Sequence, residues 1–239
     1  MTLPPLIEVE DLHKNYGLRR ALRGIHMRVA QGEWVTLFGP NGAGKTTLIH
    51  IIATLVRPSR GTVRLQGHPL TGDWTEARRH IGLVSHRSFL YPDLTAAENL
   101  RLYAHLYDVS SPEARIRALA ERVGLAKRLH DPVRTFSRGM VQRLTIARAL
   151  IHDPQILLLD EPYTGLDAGA VAWLTRLLGQ MAREGHTILM ATHNVEQGLA
   201  LCDRAIILHR GRLVFESSRQ ALSPDEWQAV YRAYVEEPA

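Results

Sequence analysis

Short apolar, β-branched runs recur along the chain at LIEVE (6–10), EWVTLF (33–38), TVRLQG (62–67), IGLVS (81–85), QILLLD (155–160), HTILMAT (186–192) and RAIILH (204–209). Each has the length of a buried strand and far less than a membrane-spanning helix needs. Helical patterns lie between several of them, so strands alternate with helices as a parallel sheet covered on both faces requires. The first portion, up to about Gly32, reads instead as a small antiparallel β piece.

The pattern changes between Thr95 and His152, where only helices are predicted. Leu100, Tyr103, Ala104 and Tyr107 recur at spacings of three and four and make one apolar stripe. Ser111, Pro112 and Glu113 form a start signal, with a capping serine, proline at the first helical position and an acid in the first turn. A third helix begins near Ser137. The pattern predicts one α/β domain over 1–239, with a core of 1–94 and 153–239 and an α-helical subdomain inserted at 95–152. The tail SPDEWQAVYRAYVEE predicts a last short helix.

Composition narrows the class only slightly. Of the 239 residues 45% are hydrophobic and 22% charged, which predicts a folded chain rather than a disordered one. The formal charge of +5 is spread from Arg19 to Arg232 without a basic run, so it reads as solvated surface charge and not as a nucleic-acid footprint; an anionic surface partner is the lesser alternative. A single cysteine, Cys202, excludes an intrachain disulfide framework and fits a reducing compartment. The opening MTLPPLIEVED has acids and prolines where a secretory signal needs a basic and then an apolar stretch, so a cytoplasmic location is expected.

The chemistry starts at GPNGAGKTT, which fits G-x-x-x-x-G-K-[ST] between a predicted strand and an apolar helix. Gly39, Pro40, Asn41, Gly42, Ala43, Gly44, Lys45, Thr46 and Thr47 would wrap phosphate oxygens with backbone N–H groups. Lys45 would reach the β and γ phosphates, and the Thr46 hydroxyl would bind Mg²⁺. QILLLDEP carries Asp160 to a strand end, where its carboxylate could hold the magnesium shell, and Glu161 follows as the group that orients or activates water. A guanine-reading N-K-x-D segment is not found, which favours ATP.

Motifs in one order resemble the ATP-binding subunits of ABC transporters: GPNGAGKTT, ILLLDEP, TGLD (164–167), ATHN with His193, and FSRGMVQR (136–143). The resemblance covers nearly the whole chain and implies a P-loop NTPase core with a mostly parallel sheet. It also implies ATP and Mg²⁺ as cofactors, ATPase activity, and a head-to-tail dimer in which one chain's FSRGM closes over the other's nucleotide. By the same resemblance Ser137 and Gly139 would touch the partner's γ-phosphate, Asp167 would couple the two sites, His193 would contact the γ-phosphate, and Tyr16 of HKNYG would stack on adenine. A separate transmembrane permease would dock near residues 86–100 and hold the subunit at the inner membrane face.

The sequence departs from the family at two places. Arg138 stands where a glycine is usual, and Met140 where a glutamine is. After IGLVS the family has a glutamine near Mg²⁺ and water, and here either His86 or Arg87 takes its place; arginine cannot coordinate a metal. Residues 85–107 are similar to haem-export subunits of cytochrome c maturation, which makes haem export the leading expectation. Drug, polysaccharide or sodium export and a non-hydrolysing regulatory subunit are the alternatives.

Overall fold

The computed structural model describes residues 5–72 and 74–235. The first four residues, and Glu236 and Glu237 of the predicted tail helix, lie outside the described residues.

The chain opens with β1 (Ile7–Tyr16) and β2 (Arg19–Val29), an antiparallel pair, and continues to β3 (Trp34–Phe38), the phosphate loop and α1 (Lys45–Ile52). β4 (Arg60–Leu65), β5 (His68–Pro69), α2 (Thr75–Arg79) and β6 (Ile81–Val84) follow. Only helical elements then intervene, among them α3 (Ala96–Leu106), α4 (Pro112–Arg122) and α5 (Arg138–Ala149), before β7 (Ile156–Asp160) returns to the core. The remainder is α6 (Ala168–Arg183), β8 (Thr187–Thr192), α7 (Val195–Leu199), β9 (Arg204–His209), β10 (Arg212–Ser218) and α8 (Pro224–Val235).

Two sheets result, ordered β2-β1-β4-β5 and β10-β9-β3-β8-β7-β6. In the second, β9, β3, β8, β7 and β6 are parallel, and β10 alone runs antiparallel on the edge. Side-chain alternation explains why the central strands are apolar throughout. Val35, Leu37, Leu158, Leu189 and Ile206 pack toward α1 and the antiparallel sheet, while Trp34, Phe38, Leu159, Ile188 and Ile207 face the cluster that includes α3, α5, α6 and α8. This is the predicted α/β fold, with its N-terminal antiparallel piece and its inserted helices.

Three details differ from the sequence reading. TVRLQG does not join the parallel sheet; Val63 and Leu65 are buried opposite Val9 and Ile7 in an antiparallel ladder, and a strand apolar on one face suits a sheet with one solvated side. β10, with mixed exposure, gave no clear periodic signal. Ser111 sits before α4 with φ 54 and makes no side-chain cap, because a capping hydroxyl needs an extended backbone to reach the N–H groups of the first turn. Thr95 has that backbone at α3 and forms a full capping box with Glu98.

Candidate functional site

The parallel strands place their carboxyl ends in one row, since β3 and β8 pair Phe38 with Thr192, and β7 and β8 pair Asp160 with Ala191. The loops that leave this edge carry the phosphate loop, Asp160-Glu161, His193 and His86, and such an edge is where open α/β sheets bind ligands.

The phosphate loop is held by close backbone packing. A Cβ on Gly39 (φ 155) would lie 2.2 Å from the Leu208 carbonyl oxygen, and one on Gly44 (φ 113) would lie 2.7 Å from that of Ala21. Both positions therefore need glycine for space as well as for conformation. Ala43, buried, accepts a hydrogen bond from Gly211 N–H at 2.9 Å, which ties the loop to the turn after β9. Behind it α1 buries Leu48, Ile49, Ile51 and Ile52, worth on the order of 2 kcal/mol per side chain. No side chain caps α1 at Gly44, so its first N–H groups and positive dipole end are available to an anion.

Tyr16, Pro40, Asn41, Gly42, Gly44, Lys45, Thr46, Thr47 and Glu161 line one cavity of about 210 Å³ at this loop. Lys45 is buried, and its ammonium donates to the carbonyl oxygens of Gly39 (2.6 Å) and Pro40 (3.2 Å) and lies 3.6 Å from Glu161 Oε1. Burial pulls its pKa down, against the attraction of Glu161 and Asp160. Thr46 Oγ1 donates to Asp160 Oδ1 at 3.1 Å. Asp160 is buried, and burial pushes its pKa up, opposed by the Thr46 hydrogen bond.

Glu161 adopts φ 52, a left-handed backbone rare outside glycine. Its N–H donates to the Ala191 carbonyl at 2.8 Å. Its carboxylate accepts from Thr192 Oγ1 at 3.1 Å and from His193 Nδ1 at 2.9 Å. Glu161 also lines a second cavity of about 280 Å³ with Ser85, His86, Arg138, Gln142 and Thr164. His86 lines that cavity and Arg87 does not; both are exposed, and the Arg87 carbonyl accepts from Ser85 Oγ at 3.1 Å.

Ser137, Gly139 and Asp167 do not line the phosphate-loop cavity. Ser137 caps α5 by accepting from Met140 N–H at 3.3 Å, and Asp167 caps α6 by accepting from Ala170 N–H at 2.7 Å. The two helix starts are neighbours, with a Cβ on Gly139 falling 3.9 Å from that of Ala170. The sequence reading passed over Arg19 and Ala21, which line the phosphate-loop cavity, and over Thr192. The spacing of Arg19 from Tyr16 across a hairpin and the threonine of ATHN were the available signals.

Among the described residues no three His, Cys, Asp or Glu side chains gather as a metal site. Thr46 and Asp160 supply two adjacent oxygens, which suits Mg²⁺, a cation commonly bound by one or two protein ligands together with phosphate oxygens and water.

A third cavity, of about 180 Å³, lies between α1, β6, α3 and α5. Leu55 and Phe89 are exposed at its rim. Its floor is Arg148, buried, with its guanidinium 5.5 Å from the Phe89 ring centre and 5.2 Å from that of Tyr103. Arg148 Nε has no hydrogen-bond partner, while its Nη2 donates to the Leu83 carbonyl. His152 stacks on Tyr107, ring centres 3.8 Å apart, beside it. Among the described residues no helix is long and apolar enough to cross a membrane.

Comparison with known proteins agrees with this arrangement. The family described as ABC transporter matches residues 22–164. The chain is 39% identical over 210 residues to the ABC transporter ATP-binding protein NatA of Bacillus subtilis (strain 168), covering 87% of this chain and 85% of that one. It is 36% identical over 224 residues to Nod factor export ATP-binding protein I of Ralstonia nicotianae, covering 93% and 70%. Among solved structures, a dimeric post-hydrolysis state of an ATP-binding cassette bound to ADP and Pi superposes with a TM-score of 0.83 at 28% identity, over 89% of this chain and 98% of that one.

Proposed function

The chain belongs to the ABC transporter family, as an ATP-binding subunit with ATPase activity, and from that premise we propose that it powers export of a cargo through a separate membrane permease. Export is supported by the name of the Nod factor relative. The 85–107 stretch is the only support for haem as cargo, so haem export is the second reading, and another exported small molecule is the first.

In the proposed cycle Tyr16 and Arg19 flank the nucleotide base and sugar, and the loop N–H groups and Lys45 hold the phosphates. The Lys45 ammonium, which donates to the Gly39 and Pro40 carbonyl oxygens, is set by them at the mouth of the loop where the phosphates would lie. Thr46 and Asp160 would hold Mg²⁺, which when bound would supply charge neutralisation to the phosphates. Glu161 accepts a proton from the water that attacks the γ-phosphorus, as the bond to the β–γ bridging oxygen breaks and ADP leaves. Thr192 and His193 hold the Glu161 carboxylate in place, and His86 lines a cavity with it. Ser137, Gly139 and Asp167 lie outside this cavity and serve the nucleotide of a second copy packed head to tail.

The permease is proposed to seat a segment in the Phe89–Tyr103–Arg148 groove, which places the subunit on the cytoplasmic membrane face. That groove reaches beyond residues 86–100 to Leu55, Tyr107 and His152. The single observation that carries the reading is its uncovered aromatic wall over a buried cation. Leu55→Asp combined with Phe89→Asp tests it. The double variant should keep the ATPase rate of the free subunit and lose cargo export in cells that carry the permease. Unchanged export by that variant would remove this docking site.

A further inference from the structure

Arg138 stands between two residues proposed to meet a second copy's nucleotide, yet its side chain is directed into its own chain. A Cβ built on Gly165 would fall 2.3 Å from Arg138 Nη1, 3.0 Å from its Cζ and 3.3 Å from its Cδ. The guanidinium of the exposed Arg138 thus lies over Gly165, in the turn that links Glu161 to α6, and occupies the space that a side chain at 165 would enter. Gly165 also has φ 75, so one glycine meets a conformational and a steric need.

A second contact follows the same line. One helical turn along α5, Gln142 Nε2 donates to the Pro162 carbonyl at 2.9 Å. Beyond it Arg143 lies 4.2 Å over the Trp173 ring of α6. Arg138 and Gln142, one turn apart on α5, therefore meet the 162–165 turn, and Arg143 meets α6. Arg138 also shares the second cavity with Glu161, Thr164 and Leu166.

We infer that Arg138 is a positioning residue that fastens the start of α5 to the Thr164–Asp167 turn, so that Ser137, Gly139 and Asp167 are presented to a second copy as one rigid piece. The inference rests on the shared head-to-tail site proposed above. It gives the arginine a role that a glycine at 138 could not fill, and it explains how a long cation fits between two phosphate-facing positions without entering the phosphate site.

Two measurements test it separately from that reading. In nucleotide-free protein, Arg138→Ala should speed amide hydrogen exchange in a peptide spanning 162–168 and leave one spanning α1 unchanged. Equal exchange in the two proteins would overturn the tie whether or not a dimer forms. In ATP hydrolysis, Arg138→Ala should lower kcat about tenfold while KM for ATP stays within about twofold. A rise in KM that Arg138→Lys restores would instead make Arg138 a direct phosphate ligand and overturn the positioning role. Gly165→Ala closes the cycle: its loss of kcat should be several-fold smaller in the Arg138→Ala background than in the parent protein. Equal losses in both backgrounds would show that the two residues act independently. Turnover of the parent protein that is strictly linear in protein concentration would count against the shared site alone, and the exchange result would still decide the tie.

Discussion

The imidazole Nδ1 of His193 lies 2.9 Å from Glu161 Oε1, and the other carboxylate oxygen of Glu161 accepts from Thr192 Oγ1 at 3.1 Å. Neighbouring residues at the end of β8 therefore grip both oxygens of the group proposed to take the proton from water. A carboxylate held at both oxygens keeps one orientation, which general base catalysis requires.

Replacing Glu161 by Gln keeps the shape and removes the basic site. Turnover should fall at least about a hundredfold, while ATP binding persists and an ATP-bound dimer accumulates on gel filtration. Steady-state turnover equal to the parent protein would remove Glu161 from the role of base. His193→Ala frees one carboxylate oxygen and should lower kcat more than it changes KM.

The two candidates after β6 are separable. Both are exposed, but His86 lines the cavity that Glu161 lines and Arg87 does not. His86→Ala should reduce kcat severalfold, and Arg87→Ala should leave the subunit's own ATPase rate close to that of the parent. Steady-state rates of the two variants reveal which side chain serves the site; a larger loss in Arg87→Ala would reverse the assignment.

Burial drives the His152 pKa down from 6.5 to about 4. The nearby charges are Arg148 and Arg115, which oppose a proton, and Asp153, which favours one; Ile81 O accepts from Nε2 at 3.0 Å. Because the folded-state value is the lower one, the neutral ring contributes stability above about pH 6.5, and that contribution is lost as pH falls toward 4. The full shift corresponds to about 3 kcal/mol. Urea unfolding of the parent and His152→Gln proteins at successive pH values should show the parent losing its extra acid sensitivity on substitution; parallel curves would mean that His152 does not titrate in this window.

Gly39→Ala forces a methyl group against the Leu208 carbonyl. The loop must shift, so ATP affinity should drop at least about tenfold while the far-ultraviolet circular dichroism stays that of the parent. Isothermal titration with a non-hydrolysable ATP analogue measures it, and parent-like affinity would show that the loop yields at this contact.

Much of the fold was legible in the chain because its signals are local. Strand-length apolar runs such as ILLL and AIIL announced a sheet buried on both faces, and GPNGAGKTT carried its own conformational instructions in its glycines. Asp160 and Glu161 could be placed at a strand end from sequence spacing alone. The one-sided pattern of Val63 and Leu65 was also present, but its pairing with β1 depends on contacts between distant segments.

What only the tertiary structure decided was adjacency across the chain. That His86 and not Arg87 lines a cavity with Glu161 follows from where the loop after β6 runs beside β7. Thr192 became a partner of Glu161 because β8 lies beside β7. Ser111 looked like a cap by residue type and failed to be one because its backbone adopts φ 54. Arg138 looked like a departure from a motif, and its place became clear only where α5 meets Gly165. Local pattern specifies elements through hydrogen-bond period and side-chain alternation, whereas a site is made by side chains that meet across long sequence separations, and packing of the whole domain sets those meetings.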